Sequence, residues 1–161
     1  KELYRLGAVA ILAQDVRRDT PQAKSTAFIR KADEIRHQLP KGVNEALLTD
    51  ASGLILEGLS SNFFSIRQSV LSTASEGVLE GITREIVLRC AQQMGIEVDF
   101  SGIHINELIS CDECFITSTS RGVLPVIKVD NLVIGTGVPG PLTRALHKRF
   151  SLTIKRLVEL I

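Results

Sequence analysis

The sequence predicts an α+β fold: an antiparallel-rich sheet or distorted barrel with helices on its outside. Three observations carry that expectation. Two stretches, 28–39 and 83–94, repeat apolar residues at helical spacing. Three short apolar runs between 45 and 66 are separated by turn-forming residues, as in a meander. Two more strand-like runs, 113–117 and 123–129, flank a hydroxyl-rich corner. No repeat, low-complexity tract or long linker divides the chain, so residues 1–161 are expected to form a single domain.

The elements follow in order. Residues 7–16 (GAVAILAQDV) are apolar and β-prone enough for a buried strand, and the polar stretch 17–22, with Pro21, ends it. Ile29, Ala32, Ile35 and Leu39 then recur at helical spacing until Pro40-Lys41-Gly42 stops the run, so Lys24 falls between a strand with its loop and a helix. Strands are expected at 45–49, 54–56 and 62–66, with turns at Asp50-Ala51-Ser52-Gly53 and Gly58-Leu59-Ser60-Ser61, and Glu57 falls where the second strand ends. In 83–94, Ile86, Val87, Cys90, Ala91 and Met94 share one helix face, and Gly95 is the expected stop. Asp130-Asn131 reads as a two-residue hairpin turn into a strand at 132–134. Pro141 suits the first turn of a closing helix that runs toward Phe150. For 151–161, strand and helix both stay open.

Composition narrows the function classes. A net charge of +1 with 23% charged residues offers no electrostatic footprint for nucleic acid. No run approaches the roughly 20 apolar residues that span a bilayer, so a soluble, cytoplasmic protein with no membrane partner is expected. Cys90, Cys111 and Cys114 are an odd, sparse set that reads as reduced thiols. Cys111 and Cys114 form a C-x-x-C, yet no second pair completes a metal site, and buried thiols leading into a strand are favoured over a redox pair.

Three places offer charge chemistry. Gly81-Ile82-Thr83-Arg84 opens a helix, so free backbone N–H groups and the positive end of the helix dipole converge on one spot; an ordinary helix cap has the same look. The corner Ser118-Thr119-Ser120 could donate hydroxyls to a phosphate or merely close a turn. Lys24 taken alone is a surface lysine.

Read together, these segments say more. Lys24-Ser25-Thr26, Asn44-Glu45-Ala46-Leu47-Leu48, Glu57-Gly58-Leu59-Ser60-Ser61-Asn62-Phe63-Phe64, Leu79-Glu80-Gly81-Ile82-Thr83-Arg84, Asp112-Glu113-Cys114-Phe115, Thr119 with Pro125-Val126, and Gly137-Val138-Pro139-Gly140-Pro141 stand in the order and spacing of one family. The chain resembles the C-terminal, larger domain of class IV (fold type IV) aminotransferases, the branched-chain and D-amino-acid aminotransferase-like enzymes. That resemblance implies pyridoxal 5'-phosphate (PLP) as cofactor. It implies Lys24 as the lysine that condenses with the cofactor aldehyde and shuttles a proton, and Glu57 as the partner of the pyridine nitrogen. It further implies Ile82 and Thr83 as phosphate ligands through their amides, with the Thr119 hydroxyl assisting, and Ser120 and Arg121 as substrate-side residues.

Elementary chemistry agrees with those roles. An amine must be neutral to attack an aldehyde, and desolvation or nearby cations lower a lysine pKa toward working pH. A carboxylate at a ring nitrogen keeps it protonated, so that the ring withdraws electrons. Asn62 is expected to organise its turn, and Arg84 either assists the phosphate cluster or faces solvent. His37, His104 and His147 match no catalytic position and read as surface residues. Two departures stand out: Arg121 replaces the small residue of many relatives, so it either binds a carboxylate or points outward, and Ile29 stands where some branched-chain enzymes carry a tyrosine.

The resemblance implies amino transfer between an amino acid and a 2-oxo acid, in a homodimer. Lyase chemistry on aminodeoxychorismate, with release of pyruvate, uses the same lysine and cofactor and stays open, as does a non-catalytic assembly module that keeps the fold. The family's smaller N-terminal domain lies upstream of the lysine strand, so this chain is expected to be a fragment that binds PLP weakly and turns over poorly by itself.

Overall fold

A computed structural model describes residues 2–13, 16 and 25–159. In chain order the described elements are α1 (Glu2–Leu6), β1 (Ala8–Ala13), α2 (Thr26–Gln38), β2 (Glu45–Thr49), β3 (Leu54–Gly58), β4 (Asn62–Arg67), β5 (Val70–Ser72) and α3 (Ile82–Gln93). There follow β6 (Val98–Asp99), β7 (Ile103–His104), a 3-10 helix (Ile105–Ser110), β8 (Glu113–Ser118), β9 (Gly122–Val129), β10 (Leu132–Val133) and α4 (Pro141–Glu159).

Six strands close into a barrel, β1-β2-β3-β4-β8-β9 and back to β1, because β3 pairs both β2 and β4 while β9 pairs both β8 and β1. The predicted α+β class and its distorted barrel are therefore observed. Most ladders are antiparallel, but β1 runs parallel to both its neighbours. Ala8, Ala10, Leu47, Ile55, Phe63, Cys114, Ile116, Leu124 and Val126, drawn from all six strands, form one buried cluster inside the barrel. The alternate residues face outward beneath helices: Ala46 and Leu48 against Phe28 and Ala32 of α2, and Phe64 and Phe115 against Val87 of α3 and Leu146 of α4.

Helix limits follow local chemistry. Ser25 caps α2 by accepting from Phe28 N at 3.5 Å. Gly95, just after α3, takes φ +69, the left-handed conformation that ends a helix without Cβ strain. Glu113 caps α4, accepting from Leu142 N at 3.0 Å and Thr143 N at 2.7 Å. The hairpin at Asp130-Asn131 is observed, with Leu132 opposite Val129.

Several expectations need correcting. The first strand spans Ala8–Ala13, shorter than the expected 7–16. The second strand of the meander extends to Gly58, so Glu57 lies within it. Residues 151–159 continue α4, because the apolar spacing of Leu146 and Phe150 carries on through the same helix. His147 is half-buried, its Nδ1 2.9 Å from Val123 O and its ring 5.0 Å from that of Tyr4. The short elements α1, β5, β6, β7 and the 3-10 helix were not anticipated, since two to six residues carry too little periodicity. Cys90, Cys111 and Cys114 are buried free thiols, as expected.

Candidate functional site

The register of β3 decides which way Glu57 points. Leu48 pairs with Glu57 but Thr49 pairs with Ile55, so Leu56 is an extra residue opposite the partner strand. Such a bulge reverses the alternation of faces. Ile55 consequently enters the barrel core, while Glu57 joins Leu48 on the outer face.

On that outer face, Glu57 stands opposite Asn62, and Asn62 opposite Thr117, which makes a polar row across β3, β4 and β8. All three are buried, Glu57 at 2% and Thr117 at 1% exposure. Glu57 Oε2 accepts from Leu79 N at 3.0 Å, and Asn62 Nδ2 donates to Leu79 O at 2.6 Å. The backbone of Leu79, in the loop before α3, is thus held at both its N–H and its carbonyl, and Asn62 organises this loop rather than its own turn. Gly81 sits so close that a Cβ there would lie 2.6 Å from Asn62 Oδ1.

Gly81 is the N-cap of α3 and supplies no side-chain cap. The first-turn amides of a helix have no intrahelical acceptor, so those of Ile82 and Thr83 stay available beside the polar row. Ile82 is 74% exposed and Thr83 is buried. The Thr117 hydroxyl is a buried polar group with no hydrogen-bond partner among the described residues.

These groups share one cleft of about 660 Å³. Its floor is the row Glu57, Asn62 and Thr117; its ends are Gly81-Ile82-Thr83 and Ser118-Thr119-Ser120; α2 contributes an apolar wall through Phe28, Ile29 and Ala32. Of the residues expected at a site, Glu57, Ile82, Thr83, Thr119 and Ser120 therefore line a common space. Lys24 lies outside the described residues. Ile29 presents a hydrocarbon to the cleft where a tyrosine would present a hydroxyl.

Two arginines find their partners within the protein. Arg84 neither reaches the cleft nor faces solvent: it is 8% exposed, donates to Ala74 O at 3.0 Å and lies 5.9 Å over the Phe100 ring. Burial lowers its pKa, an effect that the Glu80 carboxylate opposes. Arg121 binds a carboxylate of the protein itself, Glu45, at 2.5 Å, and is not among the residues lining the cleft. Sequence reasoning gave Thr117 no role and Glu45 no partner, because a cross-strand register and a contact 76 residues away leave no local signal.

No group of His, Cys, Asp and Glu suited to a metal exists among the described residues, and no helix among them is long and apolar enough to cross a membrane. A closed strand barrel whose outer face carries a buried carboxylate beside an uncapped helix start defines an α+β barrel domain with one candidate site. A family model described as amino-transferase class IV matches residues 2–129, and the chain belongs to that family. It is similar to the D-alanine aminotransferase of Bacillus licheniformis, 36% identical over 86% of this chain and 49% of the relative. It is also similar to the branched-chain-amino-acid aminotransferase of Pseudomonas aeruginosa, 34% identical over 80% of this chain and 43% of the relative. Among solved structures, a T.th. branched-chain amino acid aminotransferase with pyridoxamine 5'-phosphate aligns at TM-score 0.86 and 31% identity, over 93% of this chain and 51% of that chain. The chain thus spans about half the length of the relatives it matches.

Proposed function

We propose that this chain carries the cofactor-binding half of a PLP-dependent aminotransferase, which moves an amino group between a branched-chain or D-type amino acid and a 2-oxo acid. The observation that carries this reading is the single cleft holding the Glu57 carboxylate at one side and the α3 N-terminus at the other. The relatives reported above act, by their names, on branched-chain amino acids and on D-alanine.

The residues present fit the cofactor. A phosphate suits two free amides at a helix start, and the buried Thr117 hydroxyl without a partner among the described residues is a donor awaiting an acceptor. A cleft of about 660 Å³ lies in the ordinary range for a cofactor with its substrate. When bound, PLP supplies the electron-withdrawing ring that stabilises charge developing at the substrate α-carbon.

Each residue then has a task. Lys24 would hold the cofactor through its amine and would carry a proton to and from the substrate α-carbon. Glu57 holds a proton at the ring nitrogen; its anchor at Leu79 N keeps the carboxylate oriented. The amides of Ile82 and Thr83, with the Thr119 hydroxyl, orient the phosphate. The backbone of the turn through Ser120 receives the substrate carboxylate. Phe28, Ile29 and Ala32 exclude water from one side of the cleft.

The test is chemical. The natural full-length polypeptide is loaded with PLP, reduced with borohydride and digested, and the peptide carrying the label is identified by mass. Label at Lys24 is expected, and label elsewhere overturns the assignment. Glutamate formed from 2-oxoglutarate with an amino donor is the expected activity; pyruvate released from aminodeoxychorismate would instead make the protein a lyase.

A further inference from the structure

We propose that Glu45 and Arg121 are positioning residues: an ion pair that clamps the loop 59–61 to the turn 118–120 and so sets the distance between Glu57 and the groups that receive phosphate and substrate carboxylate. This rests on the function proposed above.

Glu45 opens β2 and is 1% exposed. A carboxylate so deeply buried persists only with a full set of donors. It has four: Ala46 N and Leu59 N at 3.2 Å on Oε1, Ser61 Oγ at 2.8 Å and Arg121 Nη2 at 2.5 Å on Oε2. Two of these belong to the loop that follows Glu57 directly. Gly58 makes the approach possible, since a Cβ there would collide with Ser61 Oγ and come within 2.8 Å of Glu45 Cδ.

Arg121 completes the link from the other side. Its Nη2 also donates to Ser60 Oγ at 3.3 Å, its Nε to Ser118 Oγ at 3.3 Å and its Nη1 to Asn44 O at 3.4 Å. Its own carbonyl accepts from Tyr4 Oη at 2.5 Å, which fixes the backbone of the turn. Ser60, Ser61 and Ser118 all line the cleft, whereas Glu45 and Arg121 do not. The pair therefore touches neither substrate nor cofactor and acts through the two turns. A guanidinium fork can hold several acceptors in fixed directions at once; an ammonium cannot.

The natural full-length polypeptide is compared with Arg121→Lys and with the double variant Glu45→Gln/Arg121→Met, which leaves no charge buried without its partner. Amide hydrogen exchange is followed in the cofactor-free protein, PLP is titrated by absorbance, and KM and kcat are measured with 2-oxoglutarate. The clamp predicts faster exchange at both 59–61 and 118–120, with β4 and α4 unchanged. It predicts PLP binding weaker by about tenfold, and a KM that rises by more than kcat falls. Loosening of only one of the two segments overturns the proposal. So do loosened turns with unaltered PLP affinity and KM, or a global loosening of every strand in both variants. Should the unaltered protein take up no PLP, the proposed function fails, and the exchange pattern alone decides the clamp.

Discussion

At the scale of single residues, Glu57 is where a small change is expected to matter most. Glu57→Gln keeps the shape and the bond to Leu79 N but removes the charge, so kcat should drop on the order of 10²-fold, the usual effect of losing one preorganised electrostatic partner. Steady-state kinetics on the PLP-loaded variant, with a urea midpoint near that of the parent, checks this. The carboxyl groups of Asp50 and Asp99 make a second, independent case. The Ser52 hydroxyl first, then the amides of Leu54, Ser52 and Gly53, hold Asp50 below its ordinary value against the opposing effect of burial. The Ser101 hydroxyl and amide, and then the Arg67 charge, do the same for Asp99. A depressed carboxyl pKa stabilises the fold above the unfolded value and loses that contribution as pH falls through the folded value. Asp50→Asn should thus lower the urea midpoint at neutral pH, and the gap should close below about pH 4. A gap that persisted in acid would contradict that assignment.

At the scale of elements, helices α3 and α4 begin by different devices. Helix α4 begins on the buried carboxylate of Glu113, which takes both Leu142 N and Thr143 N. Glu113→Ala should cost about 2 kcal/mol in urea unfolding, the sum of a lost cap and of amides left buried without an acceptor. Helix α3 instead begins on Gly81, which leaves its amides open to the cleft. Gly81→Ala drives a Cβ to 2.6 Å from Asn62 Oδ1, so PLP affinity should weaken with little change in the unfolding midpoint. Unaltered PLP titration in that variant would count against α3 as the phosphate site.

At the scale of the molecule, the barrel core and the cleft lie on opposite faces of the same strands. Leu47 and Phe63 point into the barrel, and their neighbours Leu48 and Asn62 point out, toward α2 and the cleft. Leu47→Ala should accordingly cost about 3 kcal/mol through transfer and cavity effects, while the folded fraction binds PLP as before. The cysteine pair belongs to the structural side. Burial pushes the Cys114 thiol well up, and the hydrogen bond from Cys114 draws the Cys111 thiol down. Both thiols are buried by the barrel cluster, on the face opposite Glu57.

Much of this was legible in the linear sequence. Period and punctuation located α2, α3, β2, β4, β8, β9 and the Asp130-Asn131 turn, because these depend on residues within a few positions of each other. The motifs around Glu57, Gly81-Ile82-Thr83 and Thr119 named the residues that line the cleft, since residue choice is itself the signal. Only the tertiary structure decided that a bulge at Leu56 turns Glu57 outward, that Thr117 joins the row beside Asn62, and that Arg84 goes to Ala74. It alone decided that Arg121 meets Glu45 across a separation of 76 residues. Local preference cannot carry such facts: the facing of a side chain in a sheet follows strand register, and the partner of a buried charge follows from which distant segments the closed barrel brings together.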